Sequence, residues 1–250
     1  MKSLFLLFIT VMHGFIAFGQ LNTIEKRFAL PDGYQRISYP TESFPQYLRH
    51  LLPLKDKGSK VHYYDGRLKN RPDVYCAVVD LAIGNRDLLQ CADACMLLYG
   101  EYLFAMKQYD AIRFNFVSDG KPRFFKEYTT KRDYASFRKY MNYVFAYANT
   151  RSLHGQLTPV DNFQEMQAGD VLIQTGNPYG HAVIVVDMAE QQKTGKKIYM
   201  LAQSYMPAQE IQILVNPQNP DLSPWYELIN ETVHTPEWIF EPGDLRRVVR

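Results

Sequence analysis

The sequence predicts an α+β fold in which a cysteine-bearing helix packs on a small antiparallel sheet, and three observations predict it. Leu88, Cys91, Cys95, Leu98 and Tyr102 recur at three- and four-residue intervals, the stripe of a core-facing helix. Residues 168–174, 181–188 and 197–204 are short apolar runs separated by a Gly- and Pro-bearing loop (175–180) and a polar turn (191–196), as consecutive strands require. A helix-borne cysteine comes first and a strand-borne histidine later, on an antiparallel sheet, which is an α+β arrangement.

Along the chain, Lys2, the apolar run after it and the small-residue exit at Ala17 and Gly19 read as a secretory signal over residues 1–19, too short for a spanning helix. A soluble protein in the periplasm or secreted is therefore expected, with no integral membrane segment after signal removal. Residues 20–60 form a polar, proline-bearing N-terminal arm with a short amphipathic helix over 44–52. Residues 61–250 form a single domain.

That domain opens with a hairpin or strand pair, from the Asp65-Gly66 turn signal and the β-branched run 74–83. Gly84 and Asn85 then break the strand. Asp87 and Gln90 have the spacing of a capping box, and the helix they start should run to about Gln108. Residues 112–117 alternate like an edge strand. Residues 133–148 carry Tyr134, Phe137, Tyr140, Tyr143, Phe145 and Tyr147, a second helix expected to pack on the first. After the three strands, 209–215 adds a fourth and 237–241 a short last one, with a proline-rich stretch around Trp225 between them.

The formal net charge of the 250 residues is +2, with Lys and Arg spread along the chain; no basic block points to nucleic acid. Three cysteines, Cys76, Cys91 and Cys95, are too few for a disulfide framework. Cys91 and Cys95, four apart on one helix, would form a strained bridge. A Cys76–Cys95 bridge would leave Cys91 free. There is no His-Glu-x-x-His and no Cys-x-x-Cys, so neither a metal nor another cofactor is expected.

The candidate catalytic residues are Cys91, His181 and Gln203. Cys91 lies where a helix begins, and the positive end of a helix dipole together with a protonated imidazole would ionise its thiol. His181 leads five apolar residues, so its ring stands at the mouth of a buried strand and needs a polar partner. Gln203 on the neighbouring strand can hold the ring in the tautomer whose other nitrogen faces sulfur. Gln90 or a nearby amide, with the Cys91 N–H, would make an oxyanion hole. Against this stands the plain alternative: an unreactive cysteine on a core stripe is ordinary packing. Cys95 and Cys76 are expected in the core, His62, His154 and His234 near the surface, and Asp170 and Asp187 at turns and caps. Tyr63, Tyr64, Tyr179, Tyr205, Trp225 and Tyr226 are candidates to line a groove.

With Cys91 opening a helix, and Gly169-Asp170 heading one strand before His181 opens the next, residues 80–205 resemble the papain-like cell-wall hydrolases of the NlpC and CHAP type. Nearly the whole chain also resembles a family of secreted bacterial proteins known only as a domain of unknown function. Gln90-Cys91-Ala92-Asp93-Ala94, the run from Gly180 to Asp187 and the run from Leu201 to Gln209 carry that likeness. The first resemblance implies a papain-like fold and hydrolase or acyltransferase action on an amide or ester of a cell-envelope peptide, glycopeptide or acyl substrate, with peptidoglycan stem peptides foremost. The second implies no activity and leaves room for a non-catalytic periplasmic binding or scaffold protein. The chain departs from the cell-wall enzymes around the cysteine, where Gln90 replaces their preceding Asp and Ala92-Asp93 their following Ser-Gly.

Overall fold

A computed structural model describes residues 22–248. The expected signal, residues 1–19, lies outside the described residues. The helices are α1 (Ile24–Arg27), α2 (Phe44–His50), α3 (Cys91–Ala105), α4 (Phe125–Tyr128), α5 (Tyr134–Tyr147) and α6 (Thr150–Gln156). The strands are β1 (Tyr34–Arg36), β2 (Tyr75–Val78), β3 (Arg113–Asn115), β4 (Pro122–Phe124), β5 (Thr158–Pro159), β6 (Val171–Gln174), β7 (His181–Gln191), β8 (Lys197–Gln203), β9 (Gln212–Leu214), β10 (Tyr226–Glu227), β11 (Val233–His234), β12 (Ile239–Phe240) and β13 (Leu245–Arg247).

Nine strands form one sheet in the order β2-β9-β8-β7-β6-β13-β5, with β1 added to β7 and β10 to β8. The pairings are antiparallel, so the expected α+β architecture with an antiparallel sheet is what the chain adopts. β7 is central. Its alternate residues Ala182, Ile184 and Val186 join the core shared with α3, while Val183 and Val185 join a second core with Leu172, Leu201 and Phe240. A strand buried on both faces loses the polar alternation of a half-exposed one, which is why residues 182–186 read as unbroken apolar sequence.

α3 is buried nearly all round because it lies between the sheet and α5. Gly100 permits this: a Cβ there would stand 3.2 Å from Met141 Sδ and 3.3 Å from Phe137 Cζ. The aromatic face of α5 meets α3 as anticipated, with Phe137 stacked on Phe104 at 4.7 Å between centroids. Asp133 caps α5 by accepting from Ser136 N at 2.8 Å.

Several boundaries differ from expectation. α3 begins at Cys91, not at Asp87, because the Asp87 carboxylate is drawn away to accept from Ala208 N at 2.7 Å and Gln90 Nε2 at 3.0 Å. Cys76 is exposed on β2, an edge strand, and not in the core. Asp187 is no cap: β7 runs on to Gln191, which leaves Asp187 fully buried in mid-strand. It accepts from Arg36 Nε (2.8 Å) on β1 and Arg49 Nε (2.7 Å) on α2, and these ion pairs tie residues 22–60 into the sheet and its core. No described helix is long and apolar enough to cross a membrane.

Candidate functional site

α3 starts at the end of the sheet where β7 begins. Cys91 is its first helical residue, with Gln90 as N-cap; Gln90 N donates to Asp93 Oδ2 at 3.1 Å, closing the first turn. The Cys91 thiol lies against the β7 backbone beside His181. Its sulfur is 4.0 Å from Gly180 O and 3.9 Å from Thr150 Oγ1 of α6, and the N–H of Ala182 also stabilises its charged form. Gly180 is required here, since a Cβ would collide with Gln174 O at 2.2 Å. All three cysteines are free, as a nucleophilic role for Cys91 requires.

His181 and Gln203 are brought together: His181 Nε2 and Gln203 Oε1 are 2.9 Å apart, both residues almost completely buried. The chain of bonds continues, with Gln203 Nε2 donating to Glu237 Oε2 at 2.6 Å and Lys69 Nζ donating to the same oxygen at 2.7 Å. Its polarity sets the tautomer. Lysine only donates, so Glu237 Oε2 accepts; the Gln203 atom facing it must then be the amide nitrogen, and Gln203 Oε1 must accept from His181. The imidazole therefore carries its proton on Nε2 and a lone pair on Nδ1, which bonds to no described residue. Tyr205, Trp238 and Phe240 enclose the ring, at 4.8, 5.2 and 5.9 Å between centroids. Lys69, Glu237 and Trp238 had not been singled out from sequence. They are distant in the chain and carry no motif, so no local signal could have found them.

No hydrogen bond joins the Cys91 thiol to the His181 ring: by the alternation of β7 the ring stands with Val183, Val185 and Phe240, whereas α3 covers the face of Ala182 and Ile184, so the thiol–imidazole contact expected from sequence is not made in this structure. Tyr205 bridges their surroundings, packing on the imidazole while its phenol responds to the Cys91 charge. Burial governs the electrostatics of both groups. It pushes the Cys91 thiol up, assisted by Asp93, and pulls His181 down to about 4, against the support of Gln203. Burial thus favours a neutral thiol and a neutral imidazole near neutral pH, in place of the ion pair expected from sequence. Cys95 is core, its thiol donating back to Cys91 O at 3.7 Å. Asp170 is held by Arg247 at 2.7 Å on both carboxylate oxygens and accepts from Gln167 N at 2.8 Å, a turn role as expected.

Cys91 opens into a cleft of ≈ 430 Å³ bounded by the loop before α3, the start of α6 and the β6–β7 loop. Asp87, Gln90, Asp93, Thr150, Arg151 and Tyr179 supply most of its polar lining. Of the aromatic residues proposed for a groove, Tyr179 lines this cleft, whereas Trp225 and Tyr226 are buried. No group of three or more His, Cys, Asp or Glu able to hold a metal ion exists among the described residues.

No curated protein and no solved structure matches this chain. A family match extends over residues 24–132 and 117–247, which together take in the cleft, α3 and the whole sheet. The chain belongs to the family described as domain of unknown function (4846).

Proposed function

We propose that the protein is a secreted or periplasmic cysteine hydrolase or acyltransferase of papain-like type, acting on an amide or ester bond of the cell envelope. The observation that carries this reading is the bond polarity running from Lys69 through Glu237 and Gln203 to His181. It leaves a basic Nδ1 on a histidine whose backbone lies against the Cys91 thiol. Cys91 is the nucleophile, His181 takes the thiol proton on Nδ1, and Gln203 holds the ring. Because both groups rest neutral, proton transfer accompanies attack: sulfur adds to the acyl carbon as the S–H proton passes to Nδ1. The imidazolium then returns that proton to the leaving amine or alcohol, and water or another acceptor takes the acyl group from sulfur. The Cys91 N–H, at the first position of α3 where no helical carbonyl precedes it, is the donor this reading offers a developing oxyanion.

A second reading, a binding or scaffold protein with an inert cysteine, is favoured by the burial of Cys91, at 5% exposure, and by its elevated thiol pKa. Assays on peptidoglycan fragments and simple acyl esters separate the two. The hydrolase reading expects turnover that Cys91→Ala abolishes; equal activity in that variant, or none in the native protein across a broad panel, establishes the second.

A further inference from the structure

Asp93 is the odd group in the cleft. Its carboxyl is buried, at 6% exposure, and lines the same cavity as Cys91. One oxygen, Oδ2, accepts from Gln90 N, but Oδ1 has no partner. An orphaned buried oxygen carries an uncompensated desolvation cost, which a ligand filling the cleft can remove. Two further features indicate what that ligand offers. Arg151, at the start of α6, lines the cleft, is exposed, and makes no ion pair or hydrogen bond with a described residue. The N-terminus of α3, a helix of fifteen residues, forms part of the same wall, with Gln90, Cys91 and Ala92 all lining the cleft.

We propose that the Cys91 cleft is a carboxylate-binding site, in which the acid proton on Asp93 Oδ1 and the Arg151 guanidinium bond the carboxylate of an acidic acyl peptide. The proposal deepens the hydrolase reading by naming its substrate class, yet its binding half needs no turnover. Burial supports the protonation it requires, raising Asp93 to about 8 so that the group is a hydrogen-bond donor at neutral pH. The other titratable or charged groups around it are Cys91 and Cys95 on its own helix, Asp87 in the preceding loop, Arg151 on α6 and Tyr179 in the β6–β7 loop. Asp87 is committed to Gln90 and Ala208, so it does not compete for the arginine.

The test is calorimetric titration of acetyl-alanyl-alanine, with its free carboxylate, against the same peptide ending in a carboxamide. It uses the native protein and Cys91→Ser, so that turnover neither consumes the ligand nor decides the outcome. The free acid should bind at least tenfold more tightly, and weaken at least tenfold between pH 6.5 and 9.5 as Asp93 ionises. Arg151→Ala should lose about tenfold. Asp93→Asn, whose amide still donates, should keep the affinity at pH 6.5 and lose the alkaline fall, whereas Asp93→Ala should bind weakly throughout; thermal midpoints show whether each variant is folded. Equal binding of acid and carboxamide, no binding of either, or loss of binding in folded Asp93→Asn overturns the proposal. Binding in Cys91→Ser without turnover in the native protein would uphold it while removing the hydrolase.

Discussion

β7 buries two titratable side chains, one at its start and one in mid-strand, and they are treated in opposite ways. Asp187, fully buried, is surrounded: Arg36 and Arg49 each bond one of its oxygens, and Met188 N donates at 2.9 Å. Both oxygens are bonded, and the result is a cross-link between residues 22–60 and the sheet. His181, at the start of the strand and just as buried, is held on one side only, with Nε2 committed and Nδ1 free of any described partner. A buried charge satisfied from all sides can only hold a structure together. A buried base satisfied on one side still has a proton site to offer, and this one stands where a thiol meets the strand.

The largest effect that would break this contrast is on rate. Cys91→Ala and His181→Ala should each lower kcat/KM by about 10³-fold or more, while Asp187 variants that remain folded should retain it. Steady-state kinetics on an envelope amide or ester measures this, and substantial activity in His181→Ala would remove the base from the reaction. The native pH profile should rise as His181 loses its proton near 4 and fall as Asp93 ionises near 8.

Stability should show the reverse ranking. Asp187→Ala leaves Arg49 buried and unpaired, so we expect a loss of about 3–5 kcal/mol in denaturant titration, where Cys91→Ala changes little. A loss under about 1 kcal/mol would mean that the ion cluster is dispensable.

A third measurement sharpens the comparison through pH. The folded pKa of His181, about 4, lies below its ordinary 6.5, so the unfolded chain binds the extra proton between those values. The contribution is complete above pH 6.5 and is lost as pH falls towards 4, by about 3 kcal/mol in total. Asp93 has the opposite sign. Raised from 3.8 to about 8, it contributes fully below pH 4 and loses that contribution as pH rises through 8. Denaturation of His181→Gln should therefore lack the rise in stability between about pH 4 and 6.5, and that of Asp93→Asn the fall between about pH 4 and 8; unchanged slopes would show that neither group is held in its neutral form. The smallest effect is that of Cys95→Ala, about 1 kcal/mol of packing with a rate within twofold of native.

Much of this architecture was legible in the residues. Periodicity located α3 and α5, and apolar runs bounded by turn residues located β6, β7 and β8, because each of those elements is buried by its own side chains. Failures fell where distant residues decide the matter. The helix start moved to Cys91 because Ala208, more than a hundred residues away, competes for Asp87. α6 and β13 went unseen, being short and dependent on neighbours: β13 exists only by pairing with β6 and β5. In the same way Asp187, at the end of an apolar run, reads as a cap from sequence and is buried only because β1 and α2 fold over it.

By itself the sequence determined that a cysteine begins a buried helix, that a histidine opens a buried strand and that Gln203 stands on the next strand, since periodicity and turn chemistry are local properties. Only the tertiary structure decided how those groups are protonated. Enclosure by Tyr205, Trp238 and Phe240 depresses the imidazole, the Lys69–Glu237–Gln203 chain assigns its tautomer, and burial keeps the Cys91 thiol and the Asp93 carboxyl neutral. Protonation depends on solvent exclusion and on bond polarity summed over residues far apart in the chain, and neither quantity exists until the chain has folded.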